Sequence, residues 1–386
     1  MVELNKDVLY RLIGESHYPL SQEMYKSPIY WRSRVRDVTQ NKFIFAVKKN
    51  NISYIRYVLL ENLLNPSANN NEAIKWASLN SHAEIVRLLL EDERVDPSAD
   101  NNYVIREEAR NGHVEIVRLL LEDKRVNPSD RNNESIKEAA SHGHIGVVRL
   151  LLGDKRVDPS DRNNEAIEKA VSHGRIEVVR LLLKDERVDP SAYNNNEAIR
   201  WAARLGYTEI VKLLLLDERV DPSADNNYAI TFAARNGHDE VVRLLLKDKR
   251  VDPSADNNYT IRLAADEGYT EIIKLLLLDE RVDPSADNNY AIILASSHGH
   301  IEIVRLLLGD KRVDPSALYN ESIKEAARNG HVEVIKLLLK DKRVDPSASN
   351  NYAIKDAARN GHTKVVKLLS GDKRVDPSVI QRSWSI

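Results

Sequence analysis

A proline returns along this chain at a nearly fixed interval, as Pro66, Pro97, Pro128, Pro159, Pro190, Pro222, Pro253, Pro284, Pro315, Pro346 and Pro377. The steps are 31 residues except for one of 32, where Asn194-Asn195-Asn196 carries an extra residue. A fixed period of this size means that one supersecondary unit is copied and stacked. A chain of 386 residues would otherwise suggest two or three globular domains. A stack grows by adding copies and needs no central core.

One copy shows why the period makes a fold. Val95-Asp96-Pro97-Ser98-Ala99-Asp100-Asn101-Asn102 is a turn, because proline presets φ and removes the N–H that a helix needs. Tyr103 to Arg110 follows as a short helix, in which Ala109 is small enough for close approach of a neighbour. Asn111-Gly112-His113 bends the chain, with Gly112 at the left-handed end of the helix. Val114 to Leu121 is a second, apolar helix, with Val114, Val117 and Leu121 on one stripe and Ile116 and Leu120 beside it. A single pair of this kind cannot bury its own apolar face, so copies must pile up.

The string Ala-Ala-Arg-Asn-Gly-His-Val-Glu-Val-Ile-Lys-Leu-Leu-Leu, Ala326 to Leu339, resembles the ankyrin repeat, and it recurs in register over about residues 41–376. The resemblance implies an all-α ankyrin-repeat solenoid of about eleven stacked helix pairs, with inner helices lining a concave groove that binds a protein partner. Two departures stand out. The family's Thr-Pro-Leu-His opening is replaced, as by Tyr228-Ala229-Ile230-Thr231 and Glu72-Ala73-Ile74-Lys75, and the period falls two residues below the usual 33. The projecting hairpin turns are therefore expected to be short or degenerate. The string Arg250-Val251-Asp252-Pro253-Ser254-Ala255-Asp256-Asn257-Asn258-Tyr259 is similar to ankyrin proteins of large DNA viruses of amoebae. That likeness implies a viral protein engaging host factors inside the host cell.

The ends differ from the middle. Residues 1–40 lack the repeat and place Leu4, Val8, Leu9 and Leu12 on one helical stripe before Trp31-Arg32. They read either as a cap over the first helix pair or as a short F-box-like segment, which they resemble. The F-box reading would make the chain a substrate adaptor of a ubiquitin ligase. The first pair, Phe43 to Leu60, is degenerate, with Asn50-Asn51 in place of Gly-His. The last copy turns polar at Leu368-Leu369-Ser370, as a terminal copy requires. In the tail, 377–386, Val379, Ile380, Trp384 and Ile386 are expected to fold back over it.

Composition narrows the chemistry. Charge is high but balanced at a net −2, which offers no field for nucleic acid, so that partner is not expected. The absence of cysteine excludes disulfides and thiol chemistry and fits a reducing, cytoplasmic or otherwise intracellular location. No run of 18 apolar residues or signal peptide is present, so no membrane span is expected. His142-Gly143-His144 and His298-Gly299-His300 have no carboxylate trio at ligand spacing. Their second histidines belong to a column with His82, His113, His238, His331 and His362, which the resemblance assigns to packing around the inter-helix loop. Serines and aspartates recur in equivalent places, so the reading is a chain without catalysis, cofactor, metal or small-molecule substrate, and monomeric. The arginine column Arg94, Arg125, Arg156, Arg187, Arg219, Arg250, Arg281, Arg312, Arg343 and Arg374 has Asp or Asn two residues on each time. It is read as an ion-pair and hydrogen-bond ladder between adjacent turns, and the Asn-Asn pairs as partners for turn backbone.

Positions that differ between copies point to function. One first-helix column reads Phe45, Trp76, Glu107, Glu138, Lys169, Trp201, Phe232, Leu263, Leu294, Glu325, Asp356. Charged residues are almost never fully buried unpaired, so the column meets solvent. The resemblance places it on the groove side. Trp201, Phe232, Leu263 and Leu294 are then a contiguous apolar strip, bordered by Glu107, Glu138 and Glu325, with Trp76 a further aromatic anchor. Inter-repeat packing is the alternative role for this strip. A polar rim comes from the neighbouring pair of positions, including Arg204, Arg235, Asp266 and Glu267. The expected occupant is a protein segment, apolar in its middle and basic at its ends, lying across copies six to nine. A structural virion component is the third function kept open.

Overall fold

The computed structural model describes residues 37–192 and 195–379. The segment 1–36, which carries the cap and F-box readings, lies outside the described residues, as do Ile380, Trp384 and Ile386 of the tail. Two compact units are present, residues 1–189 and 190–386.

In the first unit five helix pairs follow one another: α1 (Gln40–Lys48) and α2 (Ile52–Leu60), α3 (Ala68–Leu79) and α4 (Ala83–Leu90), α5 (Ala99–Asn111) and α6 (Val114–Glu122), α7 (Asp130–His142) and α8 (Ile145–Gly153), α9 (Asp161–Ser172) and α10 (Ile176–Leu182). Six pairs make the second unit: α11 (Glu197–Arg204) and α12 (Thr208–Leu215), α13 (Ala224–Arg235) and α14 (Asp239–Leu246), α15 (Ala255–Glu267) and α16 (Thr270–Leu277). They continue with α17 (Ala286–Ser297) and α18 (Ile301–Gly309), α19 (Ala317–Arg328) and α20 (Val332–Leu338), α21 (Ala348–Arg359) and α22 (Thr363–Ser370). Within each unit, first helices pack on first helices and second helices on second. No strand occurs among the described residues, so the hairpin finger has become a bare turn.

Small and branched residues set the stacking. Ala109, Ala140, Ala233 and Ala264 have no exposed surface, which lets neighbouring first helices approach closely. In the third copy Ile105, Ile116, Val117, Leu120 and Val126 are buried, whereas Val114 is 37 % exposed. The buried stripe of α6 is thus rotated from the one expected, because Leu119 on its flank also packs inward. Gly112 does end α5 in the left-handed region at φ 77°. A side chain there would also run into the His144 ring, since a Cβ would lie 2.5 Å from its Nδ1. Asn50, at φ 54°, holds the same place in the degenerate first pair, and Asn51 caps α2 by accepting the Tyr54 N–H.

The turn before each first helix departs from a simple proline turn. Asp100, Asn101 and Asn102 all have positive φ, at 57°, 55° and 55°, and Asn102 N–H donates to Ser98 O at 2.8 Å. Right-handed helix begins only at Tyr103. Left-handed backbone costs L-residues roughly 1–2 kcal/mol each, and Asn or Asp tolerates it best. The first two places of this run admit Arg131, Arg162, Leu318 and Tyr319, but the third is Asn in every copy that has it.

That third asparagine ties one copy to the next. Asn102 Oδ1 accepts the Asn127 N–H at 2.7 Å, and Asn71, Asn133 and Asn164 do the same for Asp96, Asp158 and Asp189. In the second unit Asn196, Asn227, Asn258, Asn289, Asn320 and Asn351 repeat the rung. The Asn pair was expected to serve turn backbone. Its second member does, but the turn belongs to the following copy.

The arginine column is a ladder with a different carboxylate from the one expected. Arg125 Nε and Nη2 clamp Asp123, two residues before it, at 3.0 and 2.6 Å. Its Nη1 donates to Val95 O of the previous copy at 2.8 Å. The downstream residue is already engaged, since Asn127 Oδ1 accepts the N–H and hydroxyl of Ser129, as Asp96 accepts those of Ser98 after Arg94. The same clamp recurs from Arg94 to Arg374, so the basic stripe has its charge matched locally. Bonding to arginine holds Asp92, Asp123 and their equivalents below the ordinary carboxylate range.

Candidate functional site

The histidine column is structural. His144 Nε2 donates to Arg110 O at 2.8 Å, and His238, His300, His331 and His362 donate likewise to a carbonyl in the last turn of the preceding copy's first helix. His142 stacks on His144 with ring centroids 6.1 Å apart, which serves packing. No group of three or more His, Asp or Glu placed to hold a metal occurs among the described residues. No helix among them is long and apolar enough to cross a membrane.

The variable first-helix column is half-buried at Trp76, Glu107, Glu138, Lys169, Trp201, Phe232, Leu263, Leu294 and Glu325. Each keeps an edge in solvent while its Ala neighbours are sealed. Asp356 departs from this: it is 5 % exposed, with Arg328 at 2.9 Å and Arg359 at 3.3 Å as partners. The Asp356 bond, with a smaller contribution from the Tyr352 hydroxyl, also pushes the Arg328 guanidinium up from its usual value.

In the first unit, Trp76 Nε1 donates to Glu72 at 3.1 Å and the Lys48 ammonium sits 3.7 Å from a Trp76 ring centroid. Trp76, Tyr103, Glu107 and Glu108 share a cavity of about 320 Å³. Glu138 lies 3.8 Å from Arg110 and 3.7 Å from His142. Glu108 is the odd residue, a carboxylate where other copies have buried alanine. It is 2 % exposed and bonded to His113 Nδ1 at 2.5 Å. Burial pushes its pKa up, against the opposing pull of His113.

In the second unit the column becomes a built surface. Trp201 Nε1 donates to Glu197 at 2.7 Å, which fixes the indole. The Arg204 guanidinium lies 5.1 Å from the Trp201 ring and 5.8 Å from the Phe232 ring. Arg235, three residues on in α13, lies 5.8 Å from the Phe232 ring, and Tyr228 stacks on Phe232 at 3.8 Å. Each guanidinium–ring contact at such an exposed place contributes about 0.5–1 kcal/mol. Together they hold the rings in one arrangement. Leu263 and Leu294 extend the row. Beside them Glu267 is 3.8 Å from Arg235, and Asp266 is 3.1 Å from His298. Glu325 ends the row, held by Arg328.

The structure therefore brings Trp201, Phe232, Arg204 and Arg235 together as one cluster. Leu263, Leu294, Asp266, Glu267 and Glu325 occupy the same face of the following first helices. Tyr228 was missed. Its place four residues before Phe232 on one helix was the available signal.

The description "Ankyrin repeats (3 copies)" matches residues 137–226, 167–260, 199–288, 230–319, 261–348 and 292–380, and "Ankyrin repeat" matches 108–133. These matches cover well over half of the chain. It belongs to the ankyrin-repeat family. The ankyrin helix pairs extend further toward the N-terminus than the matched residues, from Gln40. No curated protein matches the sequence. Ankyrin repeats generally mediate protein–protein interaction, and this chain shares their all-α repeat architecture.

Proposed function

We propose that this ankyrin chain is an interaction scaffold whose second unit grips a polypeptide along the first-helix row Trp201, Phe232, Leu263 and Leu294. The observation that carries the reading is the cluster in which Arg204 lies over both Trp201 and Phe232. Aromatic and arginine side chains are the usual anchors of protein interfaces, and rings already held in place lose little entropy on binding. Inter-helix packing alone would need apolar bulk at this column, yet Glu325 fills the same register and stays half-exposed. The occupant is a segment with an apolar middle and a basic end facing Asp266, Glu267 and Glu325. At the other end Arg204 and Arg235 offer donors to carbonyl oxygens. Trp76 and Glu107 around the first-unit cavity, with Glu138, are a secondary contact region.

The test compares capture by wild type with capture by Trp201→Ala/Phe232→Ala, with circular dichroism confirming equal helix content. Loss of a defined set of partners supports the row as the site. Equal capture of every partner sinks it.

The ligase-adaptor reading rests on Leu4, Asp7, Val8, Leu9, Leu12 and Trp31-Arg32 alone. Co-purification of ligase scaffold proteins that vanishes on deleting residues 1–38 would favour it. The viral and virion readings rest on the turn string alone, and recovery in purified particles is their test.

A further inference from the structure

We propose that the first unit carries a second, separate docking site, for an acidic peptide in extended conformation. The site is a cavity of about 680 Å³ over α7 and α9.

Its charge is unlike that of the rest of the stack. The opening position of the left-handed run is Asp in four other copies, Asp100, Asp225, Asp256 and Asp287. In two consecutive copies it is reversed to Arg131 and Arg162, which accept a left-handed backbone that arginine does not favour. The groove column, apolar or acidic elsewhere, carries its one lysine in the second of these copies, Lys169. All three side chains line the same cavity.

The carboxylates in that lining are already matched. Glu134 is taken by Arg106 at 2.9 Å and Glu165 by Lys137 at 2.9 Å. Glu138 is shared between Arg110 and His142. Among the described residues Arg131 has no ion-pair partner, and Arg162 has only a neutral acceptor, the Asn132 amide oxygen, at 3.1 and 2.7 Å once that amide is turned. Lys169 reaches only Glu168 of its own helix, at 4.0 Å. Arg131 and Arg162 thus reach one cavity without a carboxylate partner, and Lys169 adds a third cation whose single pair, with Glu168, is long.

Spacing selects the ligand. Stacked helices lie about 8–10 Å apart, so Arg131 and Arg162 repeat at that interval. A peptide in the extended polyproline II conformation covers about 9 Å in three residues and returns every third side chain to one face. Carboxylates at every third position of such a peptide would therefore meet one cation per copy.

Fluorescence anisotropy on the full chain decides the matter. The probes are a labelled peptide with Glu at every third position separated by Gly-Ser, the same peptide with Lys for Glu, and single-stranded DNA of equal charge. The acidic peptide should bind about tenfold or more tightly than its basic counterpart, and added salt should weaken it. The variant R131D/R162D installs the residue its sibling copies carry and should lose about tenfold in affinity. Trp201→Ala/Phe232→Ala should leave this binding unchanged, which separates it from the row in the second unit. Should R131D/R162D lose helix content, K169E, which installs the residue type of Glu138, reads the same loss. No preference for the acidic peptide, unchanged affinity in the charge-reversed variant, or tighter binding of the DNA would overturn the site.

Discussion

Asn258 Oδ1 accepts the backbone N–H of Asp283 at 2.7 Å across 25 residues of chain. Its left-handed φ of 58° aims the amide at the next copy. One residue type thus fulfils two conditions: it tolerates the backbone and supplies the acceptor. Asn258→Gly keeps the first and loses the second, and should cost about 1–3 kcal/mol for the unpaired N–H. Asn258→Ala loses both and should cost roughly 1–2 kcal/mol more. Urea unfolding of the two variants measures the difference, and equal stability of Ala and Gly there would contradict it.

Leu318 and Tyr319 stand in left-handed backbone at φ 51° and 58°, and Tyr319 is 81 % exposed. Neither side chain is suited to that conformation. L318D/Y319N restores what sibling copies carry and should raise stability by about 1–2 kcal/mol. Thermal melts check it. A loss of stability would mean that these side chains make contacts that matter more than their backbone strain.

Ten aspartates, from Asp92 to Asp372, are held below the ordinary range, chiefly by their arginine clamps. A carboxyl with a depressed folded pKa stabilises the fold above its unfolded value and loses that contribution as pH falls through the folded one. Because the groups repeat, melting temperature should drop steeply below about pH 4. Melts at stepped pH test this. A flat profile between pH 5 and 3 would show that the clamps contribute nothing, as isolated exposed pairs often do.

Glu108 runs the other way. Burial raises its pKa, with Glu107 adding to the shift and His113 opposing it. Its unfavourable charge is absent at low pH and appears as pH rises through the folded value. Glu108→Ala, the residue of sibling copies, should therefore gain stability over wild type as pH increases above about 4.5. A variant less stable at neutral pH would show that the His113 bond outweighs the desolvation.

Much of this was legible in the chain. The 31-residue period, the Gly112 bend and the histidine column follow from local rules that each copy repeats, so periodicity confirms itself. The arginine partner did not follow, because periodicity places aspartates both before and after Arg94, and only geometry shows Asp92 clamped by Arg94 and Asp96 occupied by Ser98. The left-handed run was hidden for a related reason. Asp-Asn-Asn reads as turn chemistry at any spacing, and its inter-copy bond depends on stacking. At the site, the column of Trp201 and Phe232 was visible as variation against a constant background. The lid formed by Arg204 was not, since a rim position and a ring-covering position look alike in sequence.

The most direct test of the account is amide hydrogen exchange on the full chain with and without a captured partner. In the second unit it predicts protection on the first helices α11, α13, α15, α17 and α19, around Trp201, Phe232, Leu263, Leu294 and Glu325, with the second helices α12, α14, α16 and α18 unchanged. Protection on those second helices, or none in the second unit, would contradict it.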